Sequence, residues 1–95
     1  MKNNSIKNNN LQILRNKIDK IDEKLLYLLN KRQKLIEQIG EYKRANGIKI
    51  ISYHRENSII NKQLKQAKKY CLDGKMVQNI YRTIFIYSRK IQRAK

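Results

Sequence analysis

Two cationic side chains in the first half of the chain stand where they could hold a small anion. Arg32 interrupts a run of apolar residues, and Lys43 follows eleven residues later, so both project from about the same helix face. Guanidinium groups bind carboxylates through two parallel hydrogen bonds. The pair therefore predicts a site for an acidic ligand. Taken alone, Arg32 is also consistent with a polar residue that sets the register of a coiled coil or whose charge reaches solvent.

The apolar residues around Arg32 repeat with heptad spacing, which is typical of one long helix. The a positions are Leu11, Ile18, Leu25 and Ile39, and the d positions are Leu14, Ile21, Leu28, Leu35 and Tyr42. We expect this helix to span residues 11–45 and to be about 50 Å long. Because the remaining 50 residues cannot cover a helix of that length, it should pair with a second copy of itself.

An antiparallel homodimer would also bring distant cations together. Arg15 and Lys43 are 28 residues apart, about 42 Å along one straight helix, and so cannot share a ligand within one chain. The midpoint between them is Leu29. If two helices cross there in opposite directions, Arg15 of one subunit lies beside Lys43 of the other and completes a cationic cluster with Arg32. Such a cluster suits a small dianion.

The rest of the chain predicts two shorter helices. Asn46-Gly47 is a turn signal, and Ser52 is a suitable N-cap for a second helix that continues to about Tyr70. Asp73 is the expected N-cap of a third helix, whose apolar residues repeat at helical spacing. The predicted fold is therefore all-α, with one long and two shorter helices.

Polar residues on the two shorter helices could face the same cavity as the cations. Ser88 and Gln92 end a stripe on the third helix that is otherwise apolar. Either this end of the helix is exposed to water, or a hydroxyl and an amide face a ligand. Arg55 and Glu56 open the second helix. They are either an exposed pair in which Glu56 favours the helix dipole, or a pair that binds a ligand hydroxyl and a ligand carboxylate.

The composition excludes several classes of protein. One Cys and one His allow no intramolecular disulfide and argue against a metal site. No run of about 18 apolar residues is present, so no transmembrane helix is expected, and a reducing cytoplasmic location follows. The net charge of +16 is typical of nucleic-acid-binding proteins, but the basic residues are spread along the chain. Residues 1–10, polar and rich in Asn, should form a disordered tail before a domain over residues 11–95.

These residues in this order resemble the all-helical chorismate mutase family over residues 11–93. The segment LRNKIDKIDEKLLYLLNKR is similar to the first-helix signature of that family, Leu-Arg-x-x-Ile-Asp-x-x-Asp-x-x-Leu-Leu-x-Leu-Leu-x-x-Arg. The family continues with a Lys eleven residues after the second Arg, an Arg-Glu pair that opens helix two, and Ser-x-x-x-Gln on helix three. The matching residues here are Lys43, Arg55, Glu56, Ser88 and Gln92.

The resemblance implies an intertwined antiparallel homodimer of three-helix chains, with each site built from both subunits. It also implies the rearrangement of chorismate to prephenate, a pericyclic step that needs no cofactor, no metal and no covalent intermediate. Arg15 of the partner chain and Arg32 would hold the two carboxylates of chorismate. Arg55 and Ser88 would complete the carboxylate side of the site.

The same resemblance assigns the remaining residues to the ether oxygen and the ring hydroxyl. Lys43 and Gln92 would donate hydrogen bonds to the ether oxygen, where negative charge builds up as the C–O bond breaks. Glu56 would bind the ring hydroxyl. Ser52 stands where well-studied members carry an Asp, so the hydroxyl side lacks one charge. Lys43, Gln92 and Arg32 are the expected catalytic residues.

Other functions stay open on the sequence alone. Isochorismate-pyruvate lyase shares the fold and a similar pocket, although the Glu56 position fits the mutase better. A basic helical nucleic-acid-binding protein would carry its arginines at outward positions and bind any duplex with strong salt dependence. A catalytically silent regulatory module would keep the fold and the dimer. The chain could also be one domain of a larger shikimate-pathway enzyme, but we expect a free-standing mutase.

Overall fold

The computed structural model describes the backbone of residues 2–94 and the side chains of residues 8–94. Over this range the chain is all-helical and has no strand, as the sequence predicts. The helices are α1 (Lys2–Ala45), α2 (Tyr53–Lys69) and α3 (Gly74–Arg93). None of these described helices combines the length and apolarity needed to cross a bilayer.

The chain divides into two units, Met1–Arg32 and Gln33–Lys95. The first unit contains the N-terminal part of α1. The second contains the end of α1 together with α2 and α3. The expected catalytic and binding residues, other than Arg15 and Arg32, all belong to the second unit.

Helix α1 begins at Lys2 rather than at Leu11, so the predicted start of the long helix was wrong. No Gly or Pro interrupts residues 2–10. A helix that has nucleated further along the chain extends through such a segment at little cost in free energy. Met1 lies outside the described residues, and the separation of residues 1–10 from the rest as a disordered tail stays a prediction.

The predicted turn after α1 is confirmed. Gly47 has a φ of +64°, in the left-handed region that favours glycine. The N–H of Ile48 donates to the carbonyl of Lys43 at 2.9 Å. This bond satisfies one of the last carbonyls of α1, as in a Schellman motif.

Both shorter helices begin at the predicted N-caps. The Oγ atom of Ser52 accepts a hydrogen bond from the N–H of Arg55 at 3.2 Å. The Oδ1 atom of Asp73 accepts from the N–H of Lys75 at 2.9 Å. Each bond satisfies a backbone donor in a first turn that has no partner within its own helix.

Helix α2 packs against α3 around a small apolar core. Ala67 and Phe85 are the buried apolar side chains among the described residues. The ring of Tyr81 lies 6.1 Å from that of Phe85, centroid to centroid. Half-buried apolar residues surround them, and these are Ile59, Ile60, Leu64, Val77 and Ile84. The core positions the first turn of α2 opposite the last turns of α3.

A long stripe of apolar side chains on the N-terminal part of α1 is exposed. The exposed fractions run from 44% at Leu11 to 68% at Leu26. The residues of this apolar stripe are Leu11, Leu14, Ile18, Ile21, Leu25, Leu26, Leu28 and Leu29. Contiguous exposed apolar surface of this kind marks an interaction site rather than ordinary surface.

The end of α2 supports a prediction about stability. Cys71 has a φ of +57°, and the N–H of Leu72 donates to the carbonyl of Ala67 at 2.8 Å. The left-handed conformation is strained for any residue with a Cβ atom. Cys71→Gly should therefore raise the free energy of unfolding by about 0.5–1 kcal/mol, measured by urea denaturation. Cys71→Ala is the matched control, because it removes the thiol but keeps the strain, and an equal gain there would contradict the explanation.

Candidate active site

The side chains of Lys43 and Gln92 meet where the end of α1 approaches the end of α3. The Nζ atom of Lys43 donates to Oε1 of Gln92 at 2.9 Å. It also donates to the backbone carbonyl of Ile50, in the connection to α2, at 2.7 Å. The sequence separates these two side chains by 49 residues. The fold brings together the two residues that the sequence analysis assigned to one oxygen of a ligand.

The hydrogen bond from Lys43 determines how the Gln92 amide is oriented. A lysine ammonium can only donate, so the amide must present its oxygen to Lys43. The NH2 group of Gln92, with its two donors, then lies on the other side of the amide. Both residues can therefore offer N–H groups to an acceptor placed beside them. Gln92 is 7% exposed, so such a bond would form largely away from bulk water.

The backbone of Gln92 is held as well as its side chain. Nη1 of Arg44 donates to the backbone carbonyl of Gln92. Gly40 allows the two helices to approach, because a Cβ atom at that position would lie 2.9 Å from the Cα atom of Gln92. Neither Arg44 nor Gly40 was singled out from the sequence as a functional residue. The spacing of Gly40 and Arg44, three residues before and one residue after Lys43, was the available signal.

Ser88 lies one helical turn before Gln92 and is also 7% exposed. The alternative in which this end of α3 is exposed to water is therefore wrong for these two residues. A hydroxyl and an amide, rather than apolar groups, occupy the buried face of the last turns of α3. Buried polar side chains generally have a hydrogen-bond partner, and that of Gln92 is Lys43.

Glu56 forms an ion pair with Arg89, across the interface between α2 and α3. Nε of Arg89 donates to Oε2 of Glu56 at 2.9 Å, and Nη2 donates to Oε1 at 2.5 Å. The guanidinium also lies over the ring of Tyr53, 5.4 Å from its centroid. Glu56 is thus half-buried and paired, and the alternative of an exposed pair with Arg55 is wrong for it. Arg55 itself is exposed.

The ion pair raises the pKa of Arg89. The hydrogen bonds from Arg89 to Glu56 raise the pKa of the guanidinium above its ordinary value, against a smaller opposing effect of desolvation. Because the pKa of Arg89 is higher in the folded state, the ion pair stabilises the fold at all pH values below the ordinary pKa of arginine. That contribution is lost only as the pH rises through the higher pKa of the folded state. Arg89 therefore stays charged at every working pH.

The remaining predicted residues are placed as follows. Ser52 is half-buried, and its hydroxyl oxygen caps α2 while its O–H can still donate. Arg15 and Arg32 belong to the first unit, where Arg15 is exposed and Arg32 is half-buried. In the described part of the chain, no three His, Cys, Asp or Glu side chains are grouped so that they could hold a metal ion.

Comparison with known families identifies the chain. The family model described as chorismate mutase type II matches residues 14–93. The chain belongs to this family. A chorismate mutase of Methanocaldococcus jannaschii is 30% identical over 80 residues, which cover 84% of this chain and 81% of that protein. A T-protein of Enterobacter agglomerans is 32% identical over 74 residues, which cover 78% of this chain.

Other relatives of this chorismate mutase type II chain are longer proteins with two activities in their names. A bifunctional chorismate mutase/prephenate dehydratase of Aquifex aeolicus is 44% identical over 59 residues, which are 62% of this chain and 16% of that protein. The chain spans about one fifth of the length of the T-proteins that it matches. The similarity thus covers a fifth or less of the length of these larger relatives.

Arg89 is a further residue near the candidate site that sequence reasoning missed. It is a helical neighbour of the buried Phe85, four residues before it, and of Gln92, three residues after it. A half-buried carboxylate on α2 also requires a positive partner. The spacing was present in the sequence, but only the packing of α2 on α3 shows that Glu56 is half-buried and that Arg89 is the arginine that supplies the charge.

The close approach at Gly40 supports a prediction. Gly40→Ala must move the Gln92 backbone by about 0.5 Å or more to reach an ordinary contact distance. We expect displaced resonances for the Gln92 side-chain amide in 15N-correlated NMR spectra, as its bond to Lys43 lengthens. Gly74→Ala is the matched control, because its Cβ atom would meet Leu64 at an ordinary 3.4 Å. Unchanged Gln92 resonances in Gly40→Ala would contradict the tight contact.

Proposed function

We propose that this chain is a chorismate mutase that converts chorismate to prephenate in aromatic amino-acid biosynthesis. The observation that carries the proposal is the part-buried hydrogen bond between Lys43 and Gln92. In the reaction the ether C–O bond breaks while a C–C bond forms, and negative charge builds up on the ether oxygen. Two N–H donors fixed beside that oxygen stabilise the transition state more than the substrate.

Arginines hold the two carboxylates of chorismate in the proposed site. Arg32 binds one of them through its planar guanidinium, and Arg15 of a second copy binds the other. Arg55 and Ser88 complete this side. By holding both carboxylates, the site selects the compact conformer in which the reacting carbons are close together. Holding the flexible substrate in this conformer accelerates the reaction.

Glu56 accepts a hydrogen bond from the ring hydroxyl of chorismate. Ser52 lies at the start of the same helix, and its O–H can add a weaker contact. The reaction requires no general base or nucleophile, since electrons move within the substrate alone. Because Gln92 is neutral at all pH values, its role needs no unusual protonation.

A second copy of the chain covers the apolar stripe on α1 in the proposed assembly. The stripe supports this choice because it is long, exposed and heptad-spaced, which is the pattern of a helix that pairs with another helix. The small core around Ala67 and Phe85 also leaves a chain of this size short of buried apolar surface. An antiparallel crossing near Leu29 would bring Arg15 of one copy beside Lys43 of the other. We also propose a cytoplasmic location for this dimer.

Turnover of chorismate tests the proposed reaction. Purified protein should consume chorismate and form prephenate, with a rate that varies little around neutral pH. Arg32→Ala should lower kcat/KM at least about 30-fold, because a charged partner of a substrate carboxylate is lost. Lys31→Ala, its exposed neighbour on α1, is the matched control and should keep wild-type activity.

Three outcomes would count against this assignment. They are a rate that rises steeply below about pH 6, an unchanged rate in Arg32→Ala, and release of pyruvate from isochorismate without any conversion of chorismate. The last would indicate the lyase. Salt-sensitive binding to duplex DNA by a protein that is inactive on chorismate would indicate a nucleic-acid-binding protein instead.

Mixed dimers test whether the site is shared between two copies. Arg15→Ala and Arg32→Ala dimers should each be nearly inactive. After unfolding and refolding together, about half of the dimers carry both kinds of chain, and each has one site with both arginines intact. The mixture should therefore recover about one quarter of wild-type activity. Each variant refolded alone is the control, and no recovery in the mixture would mean that both arginines act from one chain.

A further inference from the structure

The carboxylate of Glu56 has a fixed partner before any ligand arrives. Arg89 binds both of its oxygens in the two-pronged geometry that gives the strongest pairing of these groups. The ring of Tyr53 supports the guanidinium from one face. Three side chains on two helices therefore hold each other, and the carboxylate has a defined orientation.

The ion pair lines a cavity of about 270 Å³ between α2 and α3. Phe85 and Arg82 also line it. The side chains of Arg89 and Glu56 are 26% and 17% exposed, so the pair is only partly shielded from solvent. Each carboxylate oxygen has lone pairs beyond those that Arg89 uses. A ligand hydroxyl that enters the cavity can therefore still donate to Glu56.

Arg89 lies between the two candidate site residues of α3 in the sequence and is offset from Gln92 by about 60° around the helix axis. It follows Ser88 directly and precedes Gln92 by three residues. Its Nε and Nη2 atoms are engaged by Glu56, which makes it a poor direct ligand for a substrate carboxylate. The geometry suits a residue that acts on the substrate through Glu56.

We infer that Arg89 is a positioning residue: it holds Glu56 in the orientation that accepts the substrate's ring hydroxyl, and it neutralises the charge of that carboxylate. The second effect matters because the proposed substrate is a dianion, which an uncompensated carboxylate in the site would repel. This role rests on the proposed function. It separates Arg89 from Arg32 and Arg55, which are assigned to the substrate carboxylates themselves.

Arg89→Met tests the role by removing the charge and both hydrogen bonds. The KM for chorismate should rise about tenfold or more, while kcat changes by less than about threefold, because the loss affects substrate binding more than the bond-breaking oxygen. Lys90→Met is the matched control, since it removes one positive charge from an exposed position of α3 that does not line the cavity. It should leave KM within about twofold of wild type.

The pH dependence distinguishes this role from a merely structural one. The charged or titratable groups beside Glu56 are Arg89 and Arg82 on α3, and Tyr53 and Arg55 on α2. Without Arg89, protonation of Glu56 removes a bare charge that repels the substrate. In Arg89→Met, kcat/KM should rise as the pH falls from about 6 to about 4, the range in which an ordinary glutamate side chain gains its proton, whereas wild type should change less. The double variant Glu56→Gln/Arg89→Met should lose this dependence.

Arg89→Lys tests whether the positive charge or the two-pronged geometry of Arg89 matters. It is also the variant to use if Arg89→Met does not fold. It keeps the positive charge but cannot bind both carboxylate oxygens in the same fork, so KM should rise while the pH profile stays flat. Thermal unfolding followed by circular dichroism establishes which variants are folded.

The outcomes separate the inference from the function on which it rests. An active wild type, together with folded Arg89 variants that keep the wild-type KM and pH profile, overturns the inference alone. In Arg89→Met, a kcat/KM that falls with decreasing pH overturns the charge-neutralising role. A wild type that leaves chorismate unchanged overturns the proposed function and this inference with it.

Discussion

The hydrogen bond from Lys43 to Gln92 is the interaction on which the candidate site depends. A buried or half-buried ammonium needs acceptors, and here they are the carbonyl of Ile50 and the amide oxygen of Gln92. One cation thereby joins the end of α1, the connection to α2 and the end of α3. Gly40 is a condition for this arrangement, because a side chain there would separate the helices. The same bond also fixes the orientation of the Gln92 amide, because its oxygen accepts from Lys43 and its two N–H donors lie on the other side.

Charge determines the rest of the site's character. The chain carries a net charge of +16, which attracts a dianion from a distance and speeds its encounter with the protein. The candidate site residues are basic or neutral apart from Glu56, which is acidic. Arg89 neutralises its negative charge by forming an ion pair with it. The pKa of Arg89 is raised by this pairing, so the compensation does not vary over the working pH range. A site built from permanently charged arginines, a lysine and a neutral amide suits a reaction in which no proton is transferred.

The chain has little core of its own. Ala67 and Phe85 are the buried apolar side chains of the described residues, whereas the apolar stripe of α1 is exposed over several heptads. Burial of apolar surface is the main favourable term in folding, so a chain with this distribution gains stability from a partner. The proposed second copy would bury the stripe and supply Arg15 in one step. Folding, assembly and completion of the site would then be the same event.

The sequence by itself determined the number of helices and the turns and caps between them. Heptad spacing, the Asn46-Gly47 turn and the caps at Ser52 and Asp73 are local signals, because each depends on residues within one or two helical turns. The start of α1 was misplaced because residues 2–10 have no stop signal and only composition argued against a helix. Side-chain roles for Lys43 and Gln92 came from resemblance. Only the tertiary structure decided their contact, the partner of Glu56 and the burial of Ser88. The two contacts join residues 49 and 33 positions apart in the sequence. Spacing along one helix shows which residues share a face, but only the packing of helices shows which groups on two faces meet.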